Sequence, residues 1–293
     1  MPSSALLPDR TRDRTRKRTQ RSFAGAARHV LSSRVTAWAV AGVVAVVALG
    51  AILFPRNSVS PDAASFTGLP QVGALFQGAW QSNPHFCTAS VVDSPSGDVI
   101  ATAAHCLSGN AKDLEFVPMY HDGQAPYGQW NVTGAYVSQR WMQDRDPQAD
   151  FAFLTVSPQH TGGTERTVQS VVGGDALVIG RPLPRSAVVV GYPAGSGGQP
   201  VICLNQPFAR DGYPAFRCGG FVSGTSGGPW LAEYDTQTGR GDLYGVTGGR
   251  HQGGCVSWVS YSSSFSADTM AVYERAVAGQ QPDVIPAAQP APC

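Results

Sequence analysis

The chain has 293 residues, of which 42% are hydrophobic and only 14% charged, with a formal net charge of +1. That near-neutral total hides two opposite parts, because the first 34 residues carry a net +7 and the remainder a net −6. The acidic remainder excludes a broadly basic nucleic-acid-binding surface, and only the short head needs its positive charge explained.

The head is followed by residues 35–54, VTAWAVAGVVAVVALGAILF, twenty residues without a charge. A helix of that length at ~1.5 Å per residue spans about 30 Å, one hydrocarbon core. Positive charge before it orients residues 1–34 as a cytoplasmic head and sends the rest outward. The segment exceeds the ~7–15 apolar residues of most signal peptides. It reads as a membrane signal-anchor, with a cleaved signal peptide as the alternative. The partner at this end is the membrane, not nucleic acid.

Residues 55–70, PRNSVSPDAASFTGLP, have linker composition. Beyond them come short β-rich runs at 87–92, 99–102, 114–117, 130–137, 151–156, 187–192, 201–204, 230–234, 243–247 and 256–261. Turn residues such as SPSG at 94–97 and DTQTGRGD at 235–242 separate them. Many short strands at this spacing predict an all-β barrel or sandwich. One helix is expected late, capped by Ser266, running through ADTMAVYERAVA and stopped by Gly279.

Six cysteines, Cys87, Cys106, Cys203, Cys218, Cys255 and Cys293, all lie beyond the apolar segment, with no C-x-x-C pair. An even count in an exported domain predicts three disulfides, although six cysteines allow fifteen pairings. A Cys255–Cys293 bridge would tether the proline-rich tail QPDVIPAAQPAPC. No cluster has metal-ligand spacing, and neither a metal nor a cofactor is expected.

In FVSGTSGGPW, residues 221–230, Ser226 sits in a glycine-rich turn suited to holding one hydroxyl in a fixed pose. Such a hydroxyl is a weak nucleophile and needs a base, usually a histidine held by a third group. Of the six histidines, His29 lies in the cytoplasmic head, and His85, His121, His160 and His251 read as solvated surface residues. His105 is different, because it follows a strand-like run in IATAAHC and adjoins Cys106. A Cys87–Cys106 disulfide would brace the turn that carries it.

TAAHC at 102–106 together with GTSGGPW at 224–230 resembles the chymotrypsin-type serine peptidases. In that family the chain order is histidine, aspartate, serine. Asp150, opening DFAFLTV, abuts an apolar strand as the family's aspartate does, whereas Asp144 and Asp146 read as turn residues. The resemblance spans roughly residues 70–275. It implies two antiparallel six-stranded Greek-key β-barrels, residues 71–172 and 173–293, with the C-terminal helix in the second. It also implies a His105, Asp150 and Ser226 triad, an oxyanion hole from the N–H groups of Gly224 and Ser226, and a monomer acting on a polypeptide substrate.

GYP at 191–193 and a Cys203–Cys218 bridge are similar to the bacterial secreted branch that includes glutamyl endopeptidases. Departures are informative. Val246 stands where those enzymes carry a glutamate-recognising histidine, and Gly220 occupies the pocket-floor position where trypsin-like members carry an acid. Gly220, Val246, Gly248 and Gly249 therefore predict an open, mostly apolar specificity pocket. Thr225 replaces the aspartate that pairs with a newly cut amino terminus in animal digestive members, so no such activation is expected. Two other readings fit parts of the chain. One is a peptidase-like binding module without activity. The other is an α/β-hydrolase esterase, since GTSGG satisfies G-x-S-x-G, but only one helix is expected after Ser226.

Overall fold

The computed structural model describes residues 60–287 and Cys293. The basic head, the expected membrane segment 35–54 and the start of the expected linker lie outside the described residues. Among the described residues no helix is long and apolar enough to cross a membrane.

Strand β1 (Ala64–Ser65) comes first, followed by β2 (Val72–Gln77), β3 (His85–Val91), β4 (Val99–Thr102), β5 (Leu114–Pro118), β6 (Trp130–Val137) and β7 (Ala152–Val156). Strands β2 to β7 close into one antiparallel barrel in the order β2-β3-β4-β7-β6-β5. Val, Ile, Leu, Phe and Ala dominate these strands, and such side chains fill a pleated, buried surface well. Phe76, Phe116, Trp130, Phe151, Phe153, Ile100 and Leu154 are fully buried within it.

A small hairpin, β8 (Gln159–Thr161) and β9 (Thr164–Arg166), leads towards the second half. There β10 (Ala176–Leu177), β11 (Ala187–Gly191), β12 (Val201–Asn205), β13 (Phe208–Arg210), β14 (Tyr213–Arg217), β15 (Pro229–Asp235), β16 (Arg240–Val246) and β17 (Val259–Tyr261) form two sheets. One is β1-β12-β11-β15-β16-β10 and the other β13-β14-β17. The expected second six-stranded antiparallel barrel is thus corrected. Its ladder breaks between β12 and β13, and β10 joins β16 in parallel. The Cys203–Cys218 disulfide links the two sheets covalently, and Trp230, Phe216 and Phe221 pack between them, with ring centroids 5.6 Å apart for Trp230–Phe216.

Residues 60–70 are not a free linker. Ala64 and Ser65 pair with Ile202 and Val201, and Gly219 N–H donates to Pro61 O at 2.8 Å. Backbone pairing to an otherwise open sheet edge overrides the linker composition.

Among the described residues three short α-helices complete the fold: α1 (Gln139–Asp144), α2 (Val168–Val172) and α3 (Ala267–Val277). Helix α3 begins with a capping box, in which the Ser266 hydroxyl accepts from Asp268 N and Thr269 Oγ1 accepts from Ser266 N. Chain order assigns α3 to the second half, yet it packs on β6 and β7 of the barrel. Tyr273 stacks edge-on against Phe153, and Arg275 donates to Val137 O.

Candidate active site

The pairing of β4 with β7 explains how two distant segments meet. Thr102, the last residue of β4, lies opposite Ala152, the first of β7. The chain leaving β4 turns through Ala104–Cys106, and the chain entering β7 has just passed Asp150. His105 and Asp150 are therefore neighbours although 45 residues apart. His105 Nδ1 lies 2.8 Å from Asp150 Oδ2, and His105 N donates to Asp150 Oδ1 at 2.9 Å. The carboxylate is fully buried, and Gly249 N donates to its Oδ2 at 2.8 Å. A buried carboxylate needs such donors. Asp144 and Asp146 stay on the α1 turn, where Asp146 pairs with Arg140.

Ser226 arrives from the other half, on the loop between β14 and β15. Gly227 N donates to Thr247 O and Thr247 N to Gly228 O, at 2.7 and 2.8 Å, which ties the loop to the end of β16, and Gly228 N closes the turn on Thr225 O at 3.0 Å. Gly227 has φ +80°, and a Cβ there would strike Thr102 Oγ1 and Thr88 O of the barrel. Only glycine permits this approach. Gly224, at φ +94°, would meet Tyr192 O at 2.6 Å if it carried a Cβ. Among the described residues neither Gly224 N nor Ser226 N donates a backbone hydrogen bond. Two unpaired N–H groups flanking a hydroxyl can receive a developing negative charge.

His105 and Ser226 line one cleft of about 700 Å³ at the junction of the two halves. The Cys87–Cys106 disulfide lines the same cleft, and the Cys255–Cys293 disulfide borders it as well. The Cys and His groupings close enough for a metal consist mainly of these disulfide sulfurs, which are not thiolate ligands.

The expected pocket residues fall elsewhere. Val246 is fully buried in the hydrophobic core, Gly248 and Gly249 are buried with their N–H groups bonded to Tyr261 O and Asp150 Oδ2, and Gly220 is exposed. None of the four lines the cleft, whose apolar lining comes from Phe86, Phe221, Val222 and Val256. The reason lies in the Arg250–Gly253 turn, where His251 and Gln252 take left-handed conformations and bring residues 251–257 to the cleft. His251 therefore lines the site, although sequence context read it as a remote surface residue. His85 also departs from that reading. It is buried against Phe76, Tyr120 and Tyr192, with Nε2 3.2 Å from Tyr192 O, and burial lowers its pKa.

The closed barrel, the sheet-built second half and the cleft between them are the architecture of the chymotrypsin-like serine peptidases. Among solved structures, the chain resembles bacterial serine proteases. Protease Anisep from Arthrobacter nicotinovorans is 25% identical with a TM-score of 0.62, covering 74% of this chain and 99% of its own. The thermostable serine protease AL20 from an extremophilic microorganism is 25% identical with a TM-score of 0.59, covering 71% and 97%. A Glu endopeptidase shares the fold at 18% identity and a TM-score of 0.57, covering 75% and 98%. No protein-family model matches the sequence, and no curated protein matches it.

Proposed function

We propose that the chain is an extracytoplasmic serine endopeptidase that hydrolyses peptide bonds through His105, Asp150 and Ser226. The observation that carries this reading is the 2.8 Å contact between His105 Nδ1 and buried Asp150 Oδ2, in a cleft also lined by Ser226. An imidazole that donates its Nδ1–H to the carboxylate leaves Nε2 free to act as a base. Nε2 takes the proton of Ser226 Oγ as the oxygen attacks the scissile carbonyl. The N–H groups of Gly224 and Ser226 receive the oxyanion, a contribution of about 2.7–4 kcal/mol per donor in comparable sites. Nε2 then protonates the departing amine, and water hydrolyses the acyl-enzyme by the same steps reversed.

Proteases among the structural neighbours support a polypeptide substrate. Among the described residues, no Asp, Glu, Lys or Arg lines the cleft. The residue before the cut is therefore neutral or apolar and packs against Phe221, Val222 and Val256. Activation by a new amino terminus is not needed, because Thr225 is satisfied by Val222 O through both its N–H and its hydroxyl. Three disulfides fit an oxidising location. Residues 35–54 anchor the domain to the membrane from outside, unless they are cleaved as a signal.

A fluorophosphonate probe applied to the full chain tests the reading. Labelling is expected at Ser226, with loss in Ser226→Ala and His105→Ala. Folded protein that takes no label overturns the activity and leaves a binding module.

A further inference from the structure

We propose that Thr88 is a positioning residue that orients the two amides flanking Ser226; this rests on the peptidase reading above. Thr88 is fully buried in β3. Its main-chain N–H donates to Ser226 O at 2.7 Å, and its hydroxyl donates to Gly224 O at 2.9 Å. The same hydroxyl accepts from Tyr192 N at 2.9 Å, and Thr88 O accepts from Thr102 Oγ1 at 2.8 Å. Every polar group of this residue is engaged at the joint between the barrel and the serine loop.

A carbonyl held in place fixes the plane of its peptide group, because that group is planar and trans. The Thr225–Ser226 peptide, which carries the Ser226 N–H, has its own carbonyl held by Gly228 N at 3.0 Å, and Thr88 fixes the peptides on either side of it, through its hydroxyl on Gly224 O and its N–H on Ser226 O. The second amide is fixed through Ala194, whose N–H donates to Ser223 O at 2.7 Å. In a trans peptide the Gly224 N–H then points away from that carbonyl. Ala194 follows two residues after Tyr192, whose N–H is bound by the Thr88 hydroxyl. The Thr88 side chain thus bears on both amides, on Ser226 N through the adjoining Gly224–Thr225 peptide and on Gly224 N through residues 192–194.

The pin is needed because Gly224, at φ +94°, can rotate its flanking peptides at little steric cost. The neighbouring Cys87 is bonded to Cys106 beside His105. Two adjacent residues of β3 therefore hold both sides of the cleft in register.

Thr88→Val keeps the branched shape and the backbone hydrogen bonds but leaves Gly224 O and Tyr192 N without a partner. Its kcat is expected to fall about 10- to 100-fold, part of the effect of losing an oxyanion donor outright, with KM changed less than about twofold. The full chain, as wild type, Thr88→Val and Thr88→Ser, is titrated with tetrapeptide aldehydes ending in leucinal, phenylalaninal, argininal or glutamal and with the matching alcohols. The aldehyde adduct needs the oriented amides, whereas the alcohol tests only the cleft. Thr88→Val should lose aldehyde affinity by the same factor as kcat and keep alcohol affinity, and Thr88→Ser should restore both kinetics and aldehyde binding. If Thr88→Val does not fold, Thr88→Cys, close in size with a weak donor, should give an intermediate loss in the same pair of titrations. Unchanged aldehyde affinity, or parallel loss of aldehyde and alcohol affinity, overturns the role of Thr88 alone. Wild-type protein that binds no aldehyde overturns the peptidase reading and this proposal with it.

Discussion

Asp175 sits at the crossing between the two halves, and its charge works against the fold. Its main chain is bonded on both sides, with Asp175 N donating to Val91 O and Asp93 N donating to Asp175 O. Its Oδ1 accepts from Gln71 Nε2 at 3.2 Å and from Gly241 N at 3.0 Å. Its Oδ2 is buried without a partner among the described residues. Burial raises the carboxyl pKa from 3.8 to about 7, and nearby Asp93 adds to the rise. The bonds from Gly241 and Gln71, together with Arg240, oppose the shift without cancelling it. About three pKa units correspond to roughly 4 kcal/mol. The folded state binds this proton more tightly than the unfolded chain. Below about pH 4 both states hold it and nothing is lost. Stability then falls as pH rises towards 7, where the folded carboxyl ionises, and the loss levels off above. Asp175→Asn mimics the neutral acid at every pH. Denaturant unfolding of wild type and variant, disulfides intact, should give similar stabilities near pH 3.5 and a variant more stable by up to roughly 4 kcal/mol at pH 8. A wild-type-minus-variant difference that does not change with pH refutes the reasoning.

Asp150→Asn should keep the fold and lower kcat about 10⁴-fold, because the amide would favour the wrong imidazole tautomer; single-turnover kinetics check this. A peptide library should be cleaved after Leu or Phe faster than after Arg, Lys or Glu, and the reverse order contradicts the apolar lining of the cleft. Cys293→Ser removes a bridge over a separation of 38 residues, worth about 4 kcal/mol in a chain-entropy treatment. A clear fall in melting temperature is expected, and an unchanged one refutes a stabilising role for the tail.

Much of the barrel was legible because its strands are apolar runs bounded by turns. The runs at 99–102 and 130–137 coincide with β4 and β6. Strand β2, VGALFQ, escaped notice because glycine and alanine dilute its pattern, and the two-residue strands β1 and β10 leave no periodic trace. Their positions follow from backbone pairing to distant edges, which local composition does not carry. His105, Asp150 and Ser226 were conspicuous through their flanking motifs. The cleft wall was not. It depends on left-handed backbone at His251 and Gln252, a conformation uncommon outside glycine and unmarked by the local composition. Thr88 was equally silent, since a threonine in a strand is unremarkable until the opposing loop is seen.

The two ends of the described chain cross over. Strand β1 enters on the sheet of the second half, whereas α3 and residues 280–285 lie on the first barrel, where Asp283 receives Val137 N and Ile285 pairs with Gly109. Each half is therefore laced to the other by a segment from the far end of the sequence, and the second lace is knotted at Cys255. On the function proposed above, a peptidase working among copies of itself survives by opening rarely, not only by being stable at equilibrium. Parting the halves far enough to expose a cleavable strand requires undoing both laces at once. On that reading the lifetime against self-digestion is a property of the crossing ends rather than of the cores.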